Sequence, residues 1–263
     1  MHFSHSVPIA RYLLLLITAL VTAACTQQPP TYKAGSGNPV NHFAFDQLLQ
    51  KHVNERGLVD YMGLKAAEKP FNDYLNLLSQ NPPSDQWSQS EQMAYWINAY
   101  NAFTVKLILD HYPVESIKDI GPPIQIPFVY TPWTKKFFTI GGTKMSLDNI
   151  EHGILRKQFN DPRIHFALVC AAMSCPRLRN EAYTSDKLNQ QLDDQGHHFL
   201  NNPAKNKISA DQAALSKYFD WYKGDWQENG QSVVTWVNRY SAVKITNNTP
   251  ISYLDYNWSL NEQ

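Results

Sequence analysis

The run HFALVCAAMSCP, from His165 to Pro176, sets one histidine and two cysteines, Cys170 and Cys175, in an otherwise small and apolar stretch. Three chemistries suit these residue types. Thiols spaced i to i+5 around a tight connection meet the geometry of a disulfide if the compartment is oxidising. A thiol nucleophile needs a base and an orienting group. Cys175 is the preferred nucleophile, with His152 or His165 as base and Glu151 or Asn98 as orienter, and Cys170 stands second. A zinc site would draw on His152, His165, Cys170 and Cys175, although no two of these have standard finger spacing.

The elements around these residues decide what each can reach. Asp161-Pro162-Arg163 reads as a turn, and IHFALVC as a buried strand without alternation. With period 2, His165 and Cys170 fall on opposite faces of that strand. Pro176 suits the first turn of a helix over CPRLRNEA, which would put Cys175 at a positive helix end beside Arg177 and Arg179 and favour its thiolate. Cys170 lacks such neighbours and reads as packing at the strand end.

Upstream, SLDNIEHGILRKQFNDP has helical periodicity, with Asp148 or Ser146 as cap and Asn160 to Pro162 as the stop. Glu151 falls inside the apolar stripe of Leu147, Ile150, Ile154 and Leu155, and His152 on its flank. A carboxylate aimed at a core finds a partner or takes up a proton. As N3 of a capping box Glu151 would reach back to the Asp148 backbone; otherwise it pairs with a histidine or arginine in a cleft.

The clearest helix is SQSEQMAYWINAYNAFTVKLILDHYP. Ser88 and Glu91 stand at capping-box spacing, Pro113 follows the end, and the helix is apolar nearly all round. Asn98 and Asn101 lie within its apolar surface, either tying down a neighbouring backbone or orienting a base. KKFFTIGGTKMSL predicts a hairpin turning at Gly141-Gly142. Farther on, SDKLNQQLDDQGHHFL carries a core stripe that leaves His197 and His198 on an exposed flank, and SKYFDWYKGDW and SVVTWVNRYSAV read as aromatic helices. Those aromatics are expected to be core, with a glycan cleft as the alternative.

The N-terminus is a separate matter. Residues 1–24 combine Arg11, an apolar run over 12–21 and small residues before Cys25, which is a secretory signal. Small residues before a cysteine resemble the bacterial lipobox, with Thr22 in place of the usual Leu. That resemblance implies lipid anchoring of Cys25 to a membrane, the outer membrane in particular, facing the periplasm; ordinary cleavage to a soluble periplasmic protein is the alternative. Residues 25–40 form a polar, Pro- and Gly-rich tether, and 41–263 a single globular domain. The whole chain of 263 residues has a formal charge of zero, and loss of the signal removes one basic residue, so nothing predicts nucleic-acid binding.

Taken in order, WINAYNA, SLDNIEHGILR, DPRIHFALVCAAMSCPRLRNEAY and LSKYFDWY resemble the family catalogued as domain of unknown function 547, over most of Ser88 to Trp226. The resemblance implies that Asn98, Asn101, Glu151, His152, His165 and both cysteines lie in that family's motif segments; it carries no chemistry with it.

The expected fold is α+β, predominantly helical, with a small, mainly antiparallel sheet made by the Gly141-Gly142 hairpin and the His165 strand. The expected function is a cell-envelope, cysteine-dependent hydrolase or acyl transferase acting on amide or ester bonds, with no cofactor. The alternatives are a binding or scaffolding lipoprotein with a Cys170–Cys175 disulfide, and a zinc-binding protein. An envelope peptide, glycan or protein is the class of partner.

Overall fold

In the computed structural model, residues 31–122 and 131–263 are described. The signal, Cys25, the first part of the tether and most of the Pro-rich connection after Gly121 lie outside them. Among the described residues no helix is long and apolar enough to cross a membrane.

Helices α1 (Phe43–His52), α2 (Tyr61–Ala66) and α3 (Glu68–Gln80) pack beside α4 (Gln89–Leu109). The start of α4 is set as its sequence predicts, since Ser88 Oγ accepts the Glu91 N–H while Glu91 reaches back to the Ser88 N–H. Tyr95, Trp96, Ile97, Ala99 and Ile108 are fully buried around it, so α4 is the axis of the main core. Strands β1 (Phe138–Ile140) and β2 (Thr143–Met145) form the predicted hairpin, pairing Phe138 with Met145 and Ile140 with Thr143. Gly141 and Gly142 both have positive φ, which a two-residue turn of this hand requires.

Next, the chain winds as a π-helix over Asn149–Leu155 and tightens into α5 (Arg156–Gln158). After α6 (Ile164–Ala167) an irregular loop leads to α7 (Leu188–Leu200). A three-stranded sheet follows, with β3 (Lys207–Ile208) antiparallel to β4 (Ala213–Leu215) and β4 parallel to β5 (Ile251–Tyr253). Between β4 and β5 lie α8 (Tyr218–Trp221), α9 (Lys223–Trp226) and α10 (Val233–Tyr240). Their aromatics meet Phe166 and Phe199 in a second core, containing Phe219, Trp226, Trp236 and Tyr240. The molecule is α+β and predominantly helical, with two small sheets among the described residues.

Two expectations are corrected. The His165 strand does not form. Asp161-Pro162 starts a turn whose carbonyls capture the next amides, Pro162 O from His165 and Arg163 O from Phe166, and α6 results. The extended residues after it have a side chain in place of a strand neighbour. Asn101 Nδ2 donates to Ala167 O at 3.0 Å, and Asn101 Oδ1 accepts Val169 N–H at 3.0 Å. The sheet that does form beyond the hairpin comes from C-terminal segments instead.

The second correction concerns CPRLRNEA, which is not helical. Gln195 takes the Arg177 carbonyl, Arg177 and Arg179 both pair with Asp194, and Arg179 also pairs with Glu181. These contacts hold the segment against α7, so Cys175 has no helix end beside it.

Candidate active site

The two cores meet at a cavity of about 350 Å³. Tyr100, Leu168 and Cys170 come to it from the first core, and Tyr218 from the second. Because residues 164–167 turn as a helix, His165 and Cys170 line the same cavity instead of facing opposite ways.

His165 is the best-fastened group. Its Nε2 lies 2.7 Å from Asp225 Oδ2, and Arg156 grips the same carboxylate through Nε at 2.6 Å and Nη2 at 2.5 Å. The imidazole stacks on Tyr222 with centroids 3.7 Å apart. Burial pushes its pKa down, against the pull of Asp225 and Glu151, so the ring is neutral at pH 7. A neutral ring beside a carboxylate keeps its proton on Nε2, which leaves the lone pair on Nδ1.

The π-helical turn presents Asp148, Glu151 and His152 to the cavity together. Such turns are rare and recur at functional sites. Ser146 rather than Asp148 makes the cap, by accepting the Asn149 N–H. Glu151 is 5% exposed and accepts the Tyr222 hydroxyl at 2.6 Å, not a capping-box amide. His152 is half exposed; its Nδ1 lies 3.0 Å from Arg156 and its Nε2 3.8 Å from Asp148.

Burial pushes the Asp148 carboxyl up to about 6, with Glu151 adding to the shift and His152 opposing it. A carboxyl raised in the folded state adds stability at low pH that is lost as pH rises through 6. Asp148→Asn is therefore expected to stabilise the protein by about 3 kcal/mol at pH 8 and by nothing below about pH 4. Urea titrations of both proteins at several pH values check this; an equal difference at all of them rejects it.

The thiols form a pair. Cys170 Sγ and Cys175 Sγ are 2.6 Å apart and unbridged. Cys175 is fully buried behind Cys170, which stands at the cavity wall. Tyr256 Oη lies 3.1 Å from Cys175 and 3.3 Å from Cys170, and Tyr218 Oη 3.7 Å from each. Burial raises Cys170, and so does Cys175 beside it. Burial also penalises the Cys175 thiolate, but bonds from Cys170 and the Tyr256 hydroxyl outweigh it and bring that thiol below its ordinary range. The Cys170 N–H, 3.1 Å from Cys175 Sγ, acts in the same direction.

The connection carrying the pair is held in place from outside. Ala171 sits at φ 57°, a strained value for a residue with a Cβ, and its carbonyl accepts the Asn261 N–H. The C-terminal segment also bonds to Met173 and Ser174.

Of the residues named from sequence, Glu151, His152, His165 and Cys170 line the cavity; Cys175 backs it. Asn98 lies elsewhere, exchanging two hydrogen bonds with the Tyr183 backbone. Among the described residues no group of three or more His, Cys, Asp and Glu side chains is placed to hold a metal ion, and His165 already spends Nε2 on Asp225. Sequence reasoning missed Asp225, Arg156, Trp133 and Trp258, and read Trp221 and Tyr222 as core first, with a binding cleft as the alternative. The one signal for Asp225 was an acid set between aromatics in WYKGDW.

Neither a curated protein nor a solved structure matches the chain. Residues 84–200 match a family model described as "Protein of unknown function, DUF547", a span that runs from the cap of α4 through the π-helical turn and the cysteine pair to the end of α7. The segment 84–200 of this chain thus belongs to the family of unknown function DUF547.

Proposed function

We propose that the cavity is the active site of a thiol-dependent hydrolase or acyl transferase acting on amide or ester bonds, with Cys170 as the attacking thiol. One observation carries the reading: Cys170 shares a cavity with a neutral histidine whose Nε2 is fixed by a carboxylate, leaving Nδ1 free to move a proton. Cys175, preferred on sequence grounds, supports the attack from behind. At neutral pH the pair holds about one proton, which rests on Cys170. This proton passes to Cys175 as Cys170 Sγ bonds to the carbonyl carbon, so the anion reaches the wall only in the attack itself.

Cys170 Sγ then adds to the carbonyl carbon, and the Tyr218 hydroxyl is at hand for the oxyanion. The bond from the carbonyl carbon to the leaving amine or alcohol then breaks, and the leaving group takes the proton now on Cys175, relayed through His165 Nδ1. Water, or a second nucleophile, releases the acyl group. The N-terminal pattern supports action at the periplasmic side of the outer membrane, with Cys25 as the lipid anchor.

The test is acylation of the reduced protein by a p-nitrophenyl ester, with the adduct located by peptide mass. The adduct is expected on Cys170 and absent from Cys170→Ser, with the rate lowered about 100-fold in His165→Gln. An adduct on Cys175, or no adduct, sinks the proposal. The 2.6 Å separation of the sulfurs also favours a second reading, a Cys170–Cys175 disulfide in a binding or scaffolding protein. On that reading neither thiol labels until reductant is added, and the reduced protein forms no acyl adduct.

A further inference from the structure

The cavity carries a surplus of negative charge. Asp148 and Glu151 both line it. The other titratable groups on its walls are His152, His165, Cys170, Tyr100, Tyr218 and Tyr222. His165 is neutral at pH 7, and burial holds the three phenols above their ordinary range, so they stay uncharged. Among the described residues two cations stand by the cavity: Arg156, which bonds Asp225 through two contacts, and Lys118, over the Trp258 ring. Glu151 accepts a hydroxyl from Tyr222 and lies within electrostatic reach of Arg156, and Asp148 stands 3.8 Å from a half-exposed imidazole. Two carboxylates that feel one another at a partly buried wall gain from an added counter-charge.

At the mouth, three indoles line the same cavity. Trp258 has Trp133 edge-on to it with centroids 5.6 Å apart and planes 65° apart, and Trp221 beside it at 5.9 Å and 25°. Trp221 is 46% exposed. The rings thus make a corner, not a single flat plate. Ring faces in this region already draw cations, with Lys118 Nζ 5.2 Å from the Trp258 centroid and the Arg156 guanidinium 5.4 Å from that of Tyr222. A neutral sugar would stack on one plate and leave the surplus of negative charge in place, since Arg156 is shared between Asp225 and Glu151. An alkylated ammonium satisfies the aromatic corner and the carboxylates at once.

We propose that this cavity binds a quaternary or alkylated ammonium group of its ligand, with Trp133, Trp221 and Trp258 around the cation and Asp148 and Glu151 as counter-charge. The inference rests on the reading of the cavity as the active site and names the ligand class that it takes.

Calorimetric titration of the full chain with choline, and with its uncharged isostere 3,3-dimethylbutan-1-ol, tests it. Choline is expected to bind at least about tenfold more tightly than the alcohol. Trp221→Ala, a change at a half-exposed position, and Glu151→Gln should each weaken choline binding about tenfold without changing the thermal melt by more than a few degrees. Equal binding of the two probes, no binding of either, or indifference to Trp221→Ala overturns the proposal. If choline fails while the ester still acylates Cys170, the ligand class falls and the thiol reading stands. If choline binds wild type and Cys170→Ala alike and no acylation is seen, the thiol reading falls alone.

Discussion

Replacing Asp225 by Ala is expected to remove about 3 to 5 kcal/mol of folding stability at pH 7, measured by urea denaturation with correction for any change in slope. Asp225 is where two elements distant in sequence are tied together. Its Oδ2 meets His165 Nε2 from α6, and both its oxygens meet Arg156 from α5. The carboxylate side chain is 16% exposed and that of Arg156 31%, so truncation leaves a partly buried guanidinium and a buried imidazole N–H without an acceptor. Removing one member of such a pair is far more harmful than the pair is helpful. Asp225→Asn keeps one acceptor and is expected to lose less.

The pH dependence separates this network from simple packing. Burial penalises the Asp225 carboxylate, but the bonds from His165 and Arg156 outweigh it and hold the group well below the ordinary carboxylate range. A depressed carboxylate contributes stability that is present above its unfolded value near 3.8 and lost as pH falls below it. His165, depressed by burial, acts in the same direction between its unfolded value of 6.5 and its lower folded one, because only the unfolded chain gains the proton there. Wild type should therefore lose stability more steeply than Asp225→Ala as pH falls below about 4, where the carboxylate takes up its proton. Between about pH 7 and 4 the variant, having lost the anion that holds the His165 pKa up, is expected to fall at least as steeply as wild type. Parallel curves for the two proteins would show that Asp225 matters for its volume alone.

Asn101→Ala is expected to be as damaging, at about 3 to 5 kcal/mol, for a different reason. The amide occupies both sides of one backbone turn, accepting from Val169 N–H and donating to Ala167 O, and it is 2% exposed. Truncation leaves a buried N–H and a buried carbonyl with no partner, at about 1 to 3 kcal/mol each, and adds a small cavity. The two backbone groups lie between His165 and Cys170, so their release also loosens the pair proposed for catalysis. Loss of ester reactivity beyond the fraction unfolded is the expected kinetic signature. A cost below about 1 kcal/mol would mean that the α6 turn holds itself.

These two residues show how far the sequence could be read. The α4 helix was legible to its capping box because caps and periodicity are local, and the Gly141-Gly142 hairpin because only particular backbone angles make that turn. The sequence also marked Asn101 as an amide that had to be satisfied inside. Its partner was not legible, since the bonded backbone lies more than sixty positions away. The apolar run IHFALVC read as a strand because composition cannot tell a buried strand from a short buried helix; the hydrogen bonds of the Asp161-Pro162 turn made that choice.

The sequence by itself determined which residue types were available for chemistry: a histidine and two thiols in one apolar run, a carboxylate inside an apolar stripe, and a family motif order. It also determined the helical character of the chain, since both follow from neighbours a few positions apart. Only the tertiary structure decided that Cys170 and not Cys175 meets the cavity, that Glu151 answers to Tyr222, and that Asp225 fixes His165. Those contacts join segments 60 to 71 residues apart. They exist because two apolar cores, each closing over its own aromatics, leave a polar seam where they meet, and a pattern of local spacings carries no information about which buried polar groups will face one another across it.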